Sequence, residues 1–132
     1  MTPLTKEWII KGDRDYSTML RELRVTEDPN YDAVCFHAQQ CIEKLLKGFL
    51  QEEVIYFPKI HDLEELLQYT LEVRPEWSAL KDDCSVLTNF ATSPRYPGEN
   101  PTLEEATEAV NACKRVRTIL RQAFRDIDQL RF

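Results

Sequence analysis

The sequence predicts an all-α fold: an antiparallel up-and-down bundle of four long helices plus a shorter helix. Three observations carry this prediction. Apolar residues recur every three or four positions along most of the chain, which is the period of an amphipathic helix. No segment shows the polar–apolar alternation of a half-buried strand. The 132 residues include only three glycines, and most of the seven prolines lie between periodic segments. We therefore expect a single domain over residues 1–132.

The first two periodic segments are predicted helices of about twenty residues each. The first runs from about Thr5, its expected N-cap, to Arg24, and Asp15 lies close to its apolar stripe. That stripe consists of Trp8, Gly12, Tyr16, Met19 and Leu23. The second helix runs from about Tyr31 to Glu53 and is apolar around much of its circumference, so it is expected at the centre of the bundle. Its core positions are Val34, Ala38, Cys41, Leu45 and Phe49.

Three more helices are predicted in the second half of the chain. The third begins near His61-Asp62 and stops at Arg74-Pro75, and the fourth follows directly and ends near Thr92. Residues 93–102 hold three prolines and a glycine, so no helix crosses them. A capping box of Thr102 and Glu105 then starts a fifth helix that runs to about Leu130. Its heptad seam, which fits either the core or a dimer interface, consists of Ala109, Cys113, Val116, Leu120, Ala123, Ile127 and Leu130.

The net charge, the longest apolar runs and the cysteine count restrict the class of protein. A net charge of −6 disfavours indiscriminate binding to a phosphate backbone, which depends on clustered lysine and arginine. No apolar run is long enough to span a bilayer, and the N-terminus lacks a signal-peptide core, so the cytoplasm is the expected location. The four cysteines form no CxxC pair and are expected to be buried and reduced. We expect no metal site and no cofactor, because the spacing of cysteine and histidine fits no zinc site.

A polar strip on the second helix is the first candidate site. His37, Gln40 and Lys44 fall at i, i+3 and i+7 and so share one face, with Gln39 and Glu43 beside them. An amide, an imidazole and an ammonium suit an anion or the edge of a nucleotide. The alternative is a solvated helix face, and the sequence favours neither interpretation over the other.

The loop Ser93–Gly98 is the second candidate site. Its prolines stiffen the backbone, so Arg95 and Tyr96 are presented with little entropy to lose. Arginine suits bidentate contact with phosphate or carboxylate, and tyrosine offers a stacking face. The alternative is that Tyr96 packs under the loop while Arg95 caps a helix or pairs with an acid. We favour the functional interpretation here.

Two other motifs have a structural explanation that we favour. In His61-Asp62-Leu63 the aspartate caps a helix N-terminus, and His61 hydrogen-bonds locally. The basic row of the fifth helix follows an acidic first turn, which is the polarity that the helix dipole favours. That row consists of Lys114, Arg117, Arg121 and Arg125. No nucleophile–base, Walker or HExxH motif occurs, so no catalytic residue is predicted.

The order of these helices and motifs resembles that of the HEPN domain, a family named for nucleotide binding in higher eukaryotes and prokaryotes. The resemblance rests on Trp8 and Asp15, on FHAQQCIEKLLKGFL at residues 36–50, on His61-Asp62-Leu63, and on Arg95-Tyr96-Pro97 before a long last helix. It covers nearly the whole chain. It implies a helical bundle that usually dimerises and a frequent association with a minimal nucleotidyltransferase, in some cases as a toxin–antitoxin pair.

The resemblance also implies what the site does. The ribonuclease branch of the family has an arginine followed four to six residues later by a histidine, but no histidine follows His61 in this chain. The leading hypothesis is therefore a non-catalytic homodimeric module that binds a nucleotide or docks a nucleotidyltransferase. Its ligand-binding residues would be Arg95, Tyr96, Lys44, Gln40 and His37, with Asp15 orienting Lys44 or Arg95. The alternatives are an RNA-cleaving toxin that uses His37 or Tyr96, and a purely structural dimer.

Overall fold

The computed structural model describes residues 1–92 and 96–130, except for the side chain of Thr92. The chain forms a helical bundle, and no strand occurs in the described part, which confirms the all-α prediction. A 3-10 helix over Pro75–Leu80 precedes the fourth α-helix directly. The α-helices are α1 (Pro3–Leu23), α2 (Tyr31–Glu52), α3 (Leu63–Thr70), α4 (Lys81–Thr92) and α5 (Leu103–Leu130).

Side chains that cap the helices explain where the helices begin. Asp62 caps α3 by accepting the backbone N–H of Glu65, at 3.1 Å. The predicted capping box is present, because Thr102 and Glu105 each accept the other's backbone N–H. The predicted N-cap at Thr5 is wrong. Thr2 caps α1 by accepting the N–H of Thr5, and Pro3 takes the first helical position, where its missing N–H costs nothing.

Three other features differ from the sequence prediction. Helix α3 ends at Thr70, before the predicted stop at Arg74-Pro75, because residues 71–73 form a turn. The segment predicted as one fourth helix begins as a 3-10 helix, in which Trp77 and Leu80 are buried. Leu130, which the heptad pattern places on the seam, is exposed because it lies in the last turn of α5. The remaining seam residues, from Ala109 to Ile127, are buried within the chain, so the seam lies in the core.

Helix α2 is the centre of the bundle, as predicted. It packs against α1, α3, α4 and α5, and its apolar side is fully buried. Helix α1 packs on α2 and, more lightly, on α5, whereas α3 and α4 pack together on another side of α2. Near the C-terminal end of α2, the Phe49 ring centroid lies 4.6 Å from that of Trp77 and 6.5 Å from that of Phe124. Within the described residues, no helix is both long and apolar enough to cross a membrane.

Two glycines let α1 and α2 approach closely. A Cβ atom on Gly12 would lie 3.0 Å from Leu45 Cδ2 and 3.3 Å from the carbonyl oxygen of Cys41. A Cβ atom on Gly48 would lie 3.0 Å from the Cβ of Trp8. The two helices therefore meet backbone to side chain at Gly12 and Gly48, and larger residues at either position would push them apart.

All four cysteines lie in the described part of the chain, where they are buried and none forms a disulfide, as predicted. Burial raises the pKa of the Cys84 thiol to about 12, and nearby carboxylates, first that of Asp83, contribute to the same shift. A hydrogen bond with Cys113 raises the pKa of Cys41, and burial adds to the effect. The Cys41 and Cys84 thiols are therefore protonated in the folded protein at neutral pH and behave as small apolar side chains.

The close approach of α1 and α2 predicts that Gly48→Val destabilises the bundle. The added methyl groups would collide with the first side-chain carbon of Trp8, which cannot move without moving α1. We expect the free energy of unfolding in urea to fall by about 1–3 kcal/mol. Asn111→Val, at an exposed position of α5, is the matched control and should change it by less than about 0.5 kcal/mol. Equal effects of the two substitutions would contradict the close packing.

The buried thiols predict slow reaction with Ellman's reagent in the native state. Only the thiolate reacts, and a Cys84 pKa of about 12 leaves on the order of one molecule in ten thousand ionised at pH 8. We expect four thiols to react at once in denaturant and none to react rapidly without it. At pH values below 12, each increase of one pH unit should raise the thiolate fraction of Cys84 about tenfold. A native thiol that reacts within seconds at pH 8 would contradict the structure.

Candidate functional site

The buried carboxylate of Asp15 organises the first part of the polar strip. It lies on α1, one turn after Gly12, and its side chain is only 9% exposed. One oxygen lies 2.8 Å from His37 Nδ1, and the other accepts a hydrogen bond from Lys44 Nζ at 2.5 Å. The structure thus brings together three of the six predicted site residues, and Asp15 orients Lys44 as the sequence hypothesis proposed.

This arrangement determines how His37 is presented. A carboxylate accepts hydrogen bonds and donates none, so the Nδ1 atom that faces it carries the proton. The other ring nitrogen, Nε2, is then left for a ligand or a proton. The side chains of His37 and Lys44 are each about one quarter exposed, and Phe36 packs edge-on against the imidazole ring. A partly exposed imidazole and ammonium, both held by one carboxylate, can bind an anion without rearranging.

A second buried carboxylate, Glu43, organises the other part of the strip. It accepts hydrogen bonds from Gln39 Nε2 and Lys47 Nζ, each at 3.0 Å. His61 Nδ1 lies 3.0 Å from the same carboxylate, and Gln39 also donates to the His61 carbonyl oxygen. These bonds tie the segment before α3 to α2. His61 thus has a structural role, as predicted, but its partner is 18 residues away rather than local. Its side chain is nevertheless 76% exposed, so it is also accessible from the surface.

Gln40 belongs to this second cluster. Its amide nitrogen donates to the Gln39 side-chain oxygen at 2.8 Å, which extends the hydrogen-bond chain from Gln40 through Gln39 to Glu43. Each of the chain's two histidines therefore has a buried carboxylate at Nδ1 and a lysine on the same carboxylate. The sequence hypothesis placed Gln39 and Glu43 beside the strip but did not include Lys47. The i, i+4 spacing of Glu43 and Lys47 was the available signal.

A cleft of about 370 Å³ opens between α1 and α2 beside Lys44. Trp8 and Lys11 of α1 line it together with Lys44, and Leu4 and Glu7 complete its wall. Lys47 Nζ lies 5.9 Å from the centre of the Trp8 ring, which is within the range of a cation–π contact. Sequence reasoning missed this cleft because it assigned Trp8 to the apolar stripe of the first helix. The residue is half-buried at the edge of that stripe.

Of the second predicted site, the structure describes residues 96–98. Tyr96 is 67% exposed and sits in a turn, where its carbonyl oxygen accepts the N–H of Glu99 at 2.8 Å. Arg95 lies outside the described residues. Cys113 pairs with Cys41 and Phe124 with Phe49, so α5 runs parallel to α2 and the loop that precedes it lies at the end of the bundle where α2 begins. Within the described residues, no contact joins Tyr96 to the polar strip.

The basic row of α5 is partly neutralised by α1. Asp13 accepts a hydrogen bond from Arg117 at 3.2 Å and one from Arg121 at 3.1 Å. The Arg117 guanidinium also stacks 4.0 Å from the centre of the Tyr16 ring. These contacts fasten α5 to α1, so the row has a structural role. The physical cause differs from the expected helix-dipole effect, because the last turn of α5 holds no basic residue. Among residues 1–92 and 96–130, no group of three or more potential metal ligands is arranged to hold an ion.

A helical bundle whose first two helices share a partly buried polar strip is the class of protein that these observations define. A family model described as the HEPN domain matches residues 5–123, so the chain belongs to the HEPN family, as the sequence resemblance implied. No curated protein matches it by sequence.

Two solved structures share the fold. An archaeal HEPN homologue, ST0689, is 24% identical, with a TM-score of 0.74 over 92% of this chain and 98% of that chain. The protein TT1696 from Thermus thermophilus is 22% identical, with a TM-score of 0.70 over the same shares of the two chains.

The Asp15 cluster predicts an unequal effect of two isosteric substitutions. Asp15→Asn would leave Lys44 and His37 facing a neutral amide in a poorly hydrated position, so we expect unfolding to become easier by about 1–3 kcal/mol. Asp83→Asn is the matched control, because Asp83 pairs with an Arg115 side chain that is 60% exposed. That change should cost about 1 kcal/mol or less. Urea denaturation of both variants measures the difference, and an Asp15→Asn variant as stable as the control would show that the cluster is only a surface ion pair.

Proposed function

We propose that the chain is a non-catalytic HEPN module that binds a nucleotide in the cleft between α1 and α2. The observation that carries the proposal is the set of groups around that cleft: the Trp8 indole and the ammonium groups of Lys11 and Lys44 line one depression. An aromatic surface beside two cations matches a base joined to phosphates. The volume, about 370 Å³, lies in the range of small-ligand pockets.

Each group would have a defined task. The base would lie against Trp8, and the phosphates would contact Lys11 and Lys44. Lys11 is exposed and makes no ion pair with any described residue, so its charge is available to the ligand. Lys44 already shares its charge with Asp15, so it would position a phosphate more than attract it. His37, held by the same Asp15 carboxylate, would donate or accept a hydrogen bond through Nε2.

The charge balance of the cleft predicts modest affinity. Glu7 lines the wall beside Lys11, and each of Lys44 and Lys47 already has a carboxylate partner. Such a site holds a nucleotide without a metal only weakly, with a Kd on the order of 10–100 μM. The family resemblance extends the proposal to two protein partners, a second copy of the chain and a minimal nucleotidyltransferase. Tyr96 would act in that assembly, because it is 67% exposed and does not line the cleft, and the sequence hypothesis assigns Arg95 to the same role.

One observation favours a second candidate, metal-independent RNA cleavage. The pair of Asp15 and His37 has the arrangement of a base held by an orienting carboxylate. General acid–base cleavage needs a second proton-transfer group near the first. The only other histidine, His61, is bound to a separate carboxylate, Glu43. We therefore place nucleotide binding first.

Calorimetry with AMP, ATP and GTP tests the proposal. We expect wild-type protein to bind at least one of them, and Lys11→Ala to weaken binding about tenfold, because an exposed ammonium that contacts phosphate contributes about 1.4 kcal/mol. Trp8→Leu, which keeps an apolar side chain against Gly48, should weaken it further. Lys81→Ala removes an exposed lysine of α4 and should leave binding unchanged.

Two results would overturn the proposal. The first is the absence of binding to all three nucleotides by the wild-type protein. The second is cleavage of mixed RNA in EDTA that is retained in Lys81→Ala and lost in His37→Ala, which would make the chain a ribonuclease. Nucleotide binding without RNA cleavage supports the non-catalytic assignment.

A further inference from the structure

We propose that the outer face of α1, together with the adjoining edge of α5, docks an acidic amphipathic helix of another protein. This basic face is distinct from the nucleotide cleft and does not depend on it. Its cationic residues are Lys6, Arg14, Arg21 and Arg24 of the first helix and its C-cap, and Lys114, Arg117 and Arg121 of the last helix.

The first observation is the segregation of charge along the chain. Residues 25–102 hold fourteen acidic and six basic side chains, a balance of −8, although the whole chain carries only −6. The two helices that form the basic face lie outside this range. By count, α1 and α5 each hold as many acidic as basic residues, and Glu7 is exposed. Asp13 and Asp15 of α1 are paired with Arg117 and Lys44 respectively, whereas Lys6, Arg14 and Arg21 form no ion pair with any described residue. The outer face of α1 therefore has an excess of positive charge.

The second observation is that the guanidinium groups of this face are held in place. Asp13 receives both Arg117 and Arg121, and Arg117 is further fixed by stacking on Tyr16. On α1, Arg21 Nη2 donates to the Thr18 hydroxyl at 3.2 Å. Arginines that are already ordered lose less entropy when they bind a carboxylate, and their planar forks match its two oxygens.

The third observation is a depression among these charges that contains one exposed apolar side chain. It has a volume of about 540 Å³ and is lined by Ile10, Asp13, Arg14, Ser17, Thr18 and Arg21. Ile10 is 51% exposed although it is large and apolar. An amphipathic helix would place an apolar side chain against Ile10. Glutamates three or four residues from that apolar side chain would lie about 5–6 Å from it on the helix surface, where they would contact Arg14 and Arg21.

The same features disfavour the other polyanions and a second copy of this chain. Single-stranded nucleic acid needs aromatic faces for stacking, but no aromatic residue lines the depression, and Arg117 covers the Tyr16 ring. The acidic helices α3 and α4 pack on a different side of α2 from α1. A second copy that docked its acidic side here would make a head-to-tail contact between two different patches, rather than the contact of one patch with itself that forms most dimers. A different, acidic protein is the partner that fits.

Fluorescence anisotropy with a synthetic probe tests this inference. The probe is an 18-residue labelled peptide with leucine at helical spacing and glutamate on both flanks of the leucine stripe. Its control has the same composition in scrambled order. We expect the patterned peptide to bind wild-type protein at least five times more tightly than the scrambled one, and Arg14→Glu/Arg21→Glu to weaken it at least tenfold. Lys59→Glu/Lys81→Glu makes the same charge change away from the face and should weaken it less than twofold.

Three results would overturn the inference. One is equal binding of the patterned and scrambled peptides, which would show that the face attracts acidic peptides only through nonspecific charge. Another is tighter binding of a labelled 18-nucleotide RNA than of the peptide, if the same arginine variant no longer binds that RNA. The third is self-association of the wild-type protein, seen in light scattering as an apparent mass that increases with protein concentration, if Arg14→Glu/Arg21→Glu abolishes that increase. AMP binding to that variant, measured in parallel, reports separately on the nucleotide cleft, and its circular dichroism spectrum shows whether the variant is folded.

Discussion

The close approach of α1 to α2 is the constraint on which the rest of the structure depends. Gly12 and Gly48 permit it, because a Cβ atom at either position would lie only 3.0 Å from a side-chain atom of the facing helix. One turn beyond Gly12, the same approach presses Asp15 against α2, where its carboxylate reaches His37 and Lys44. At the Gly48 end it sets Trp8 beside the strip and leaves the cleft next to Lys44. A packing requirement in the core thus determines the shape of the surface site.

Burying two carboxylates on this contact has a cost that the cations offset. Asp15 and Glu43 are both largely withdrawn from water, and each is satisfied by a lysine and a histidine ring nitrogen. Removing any one partner would leave a charge in a poorly hydrated place, so the network is expected to stay fixed when a ligand binds. The opposite side of α1 faces solvent. Under the two proposals made above, one helix would therefore line a binding cleft along its inner edge and form a docking face along its outer edge.

Local signals in the sequence predicted the fold well, whereas the site depended on contacts between distant residues. Helical periodicity and the Thr102–Glu105 capping box are local, and the structure confirms both. The Asp15–Lys44 contact was proposed only on the condition that the two helices meet there. Periodicity placed Trp8 on the apolar stripe, but it does not tell which edge of a stripe a neighbouring helix leaves uncovered. The bond between His61 and Glu43 depends on the path of a non-helical segment, which no helical pattern specifies.

The central claim is that a nucleotide binds between α1 and α2 beside a histidine held by Asp15. The chain has two tryptophans, Trp8 at the cleft and Trp77 buried near Phe49, so the second is an internal reference. Titrating ¹⁵N-labelled protein with AMP and following both indole signals and the His37 ring nitrogens in NMR spectra tests the claim most directly. The account predicts that the Trp8 indole and His37 Nε2 signals shift with one common Kd while the Trp77 indole stays unchanged. Shifts at Trp77, or none at Trp8 and His37 under saturating AMP, would contradict it.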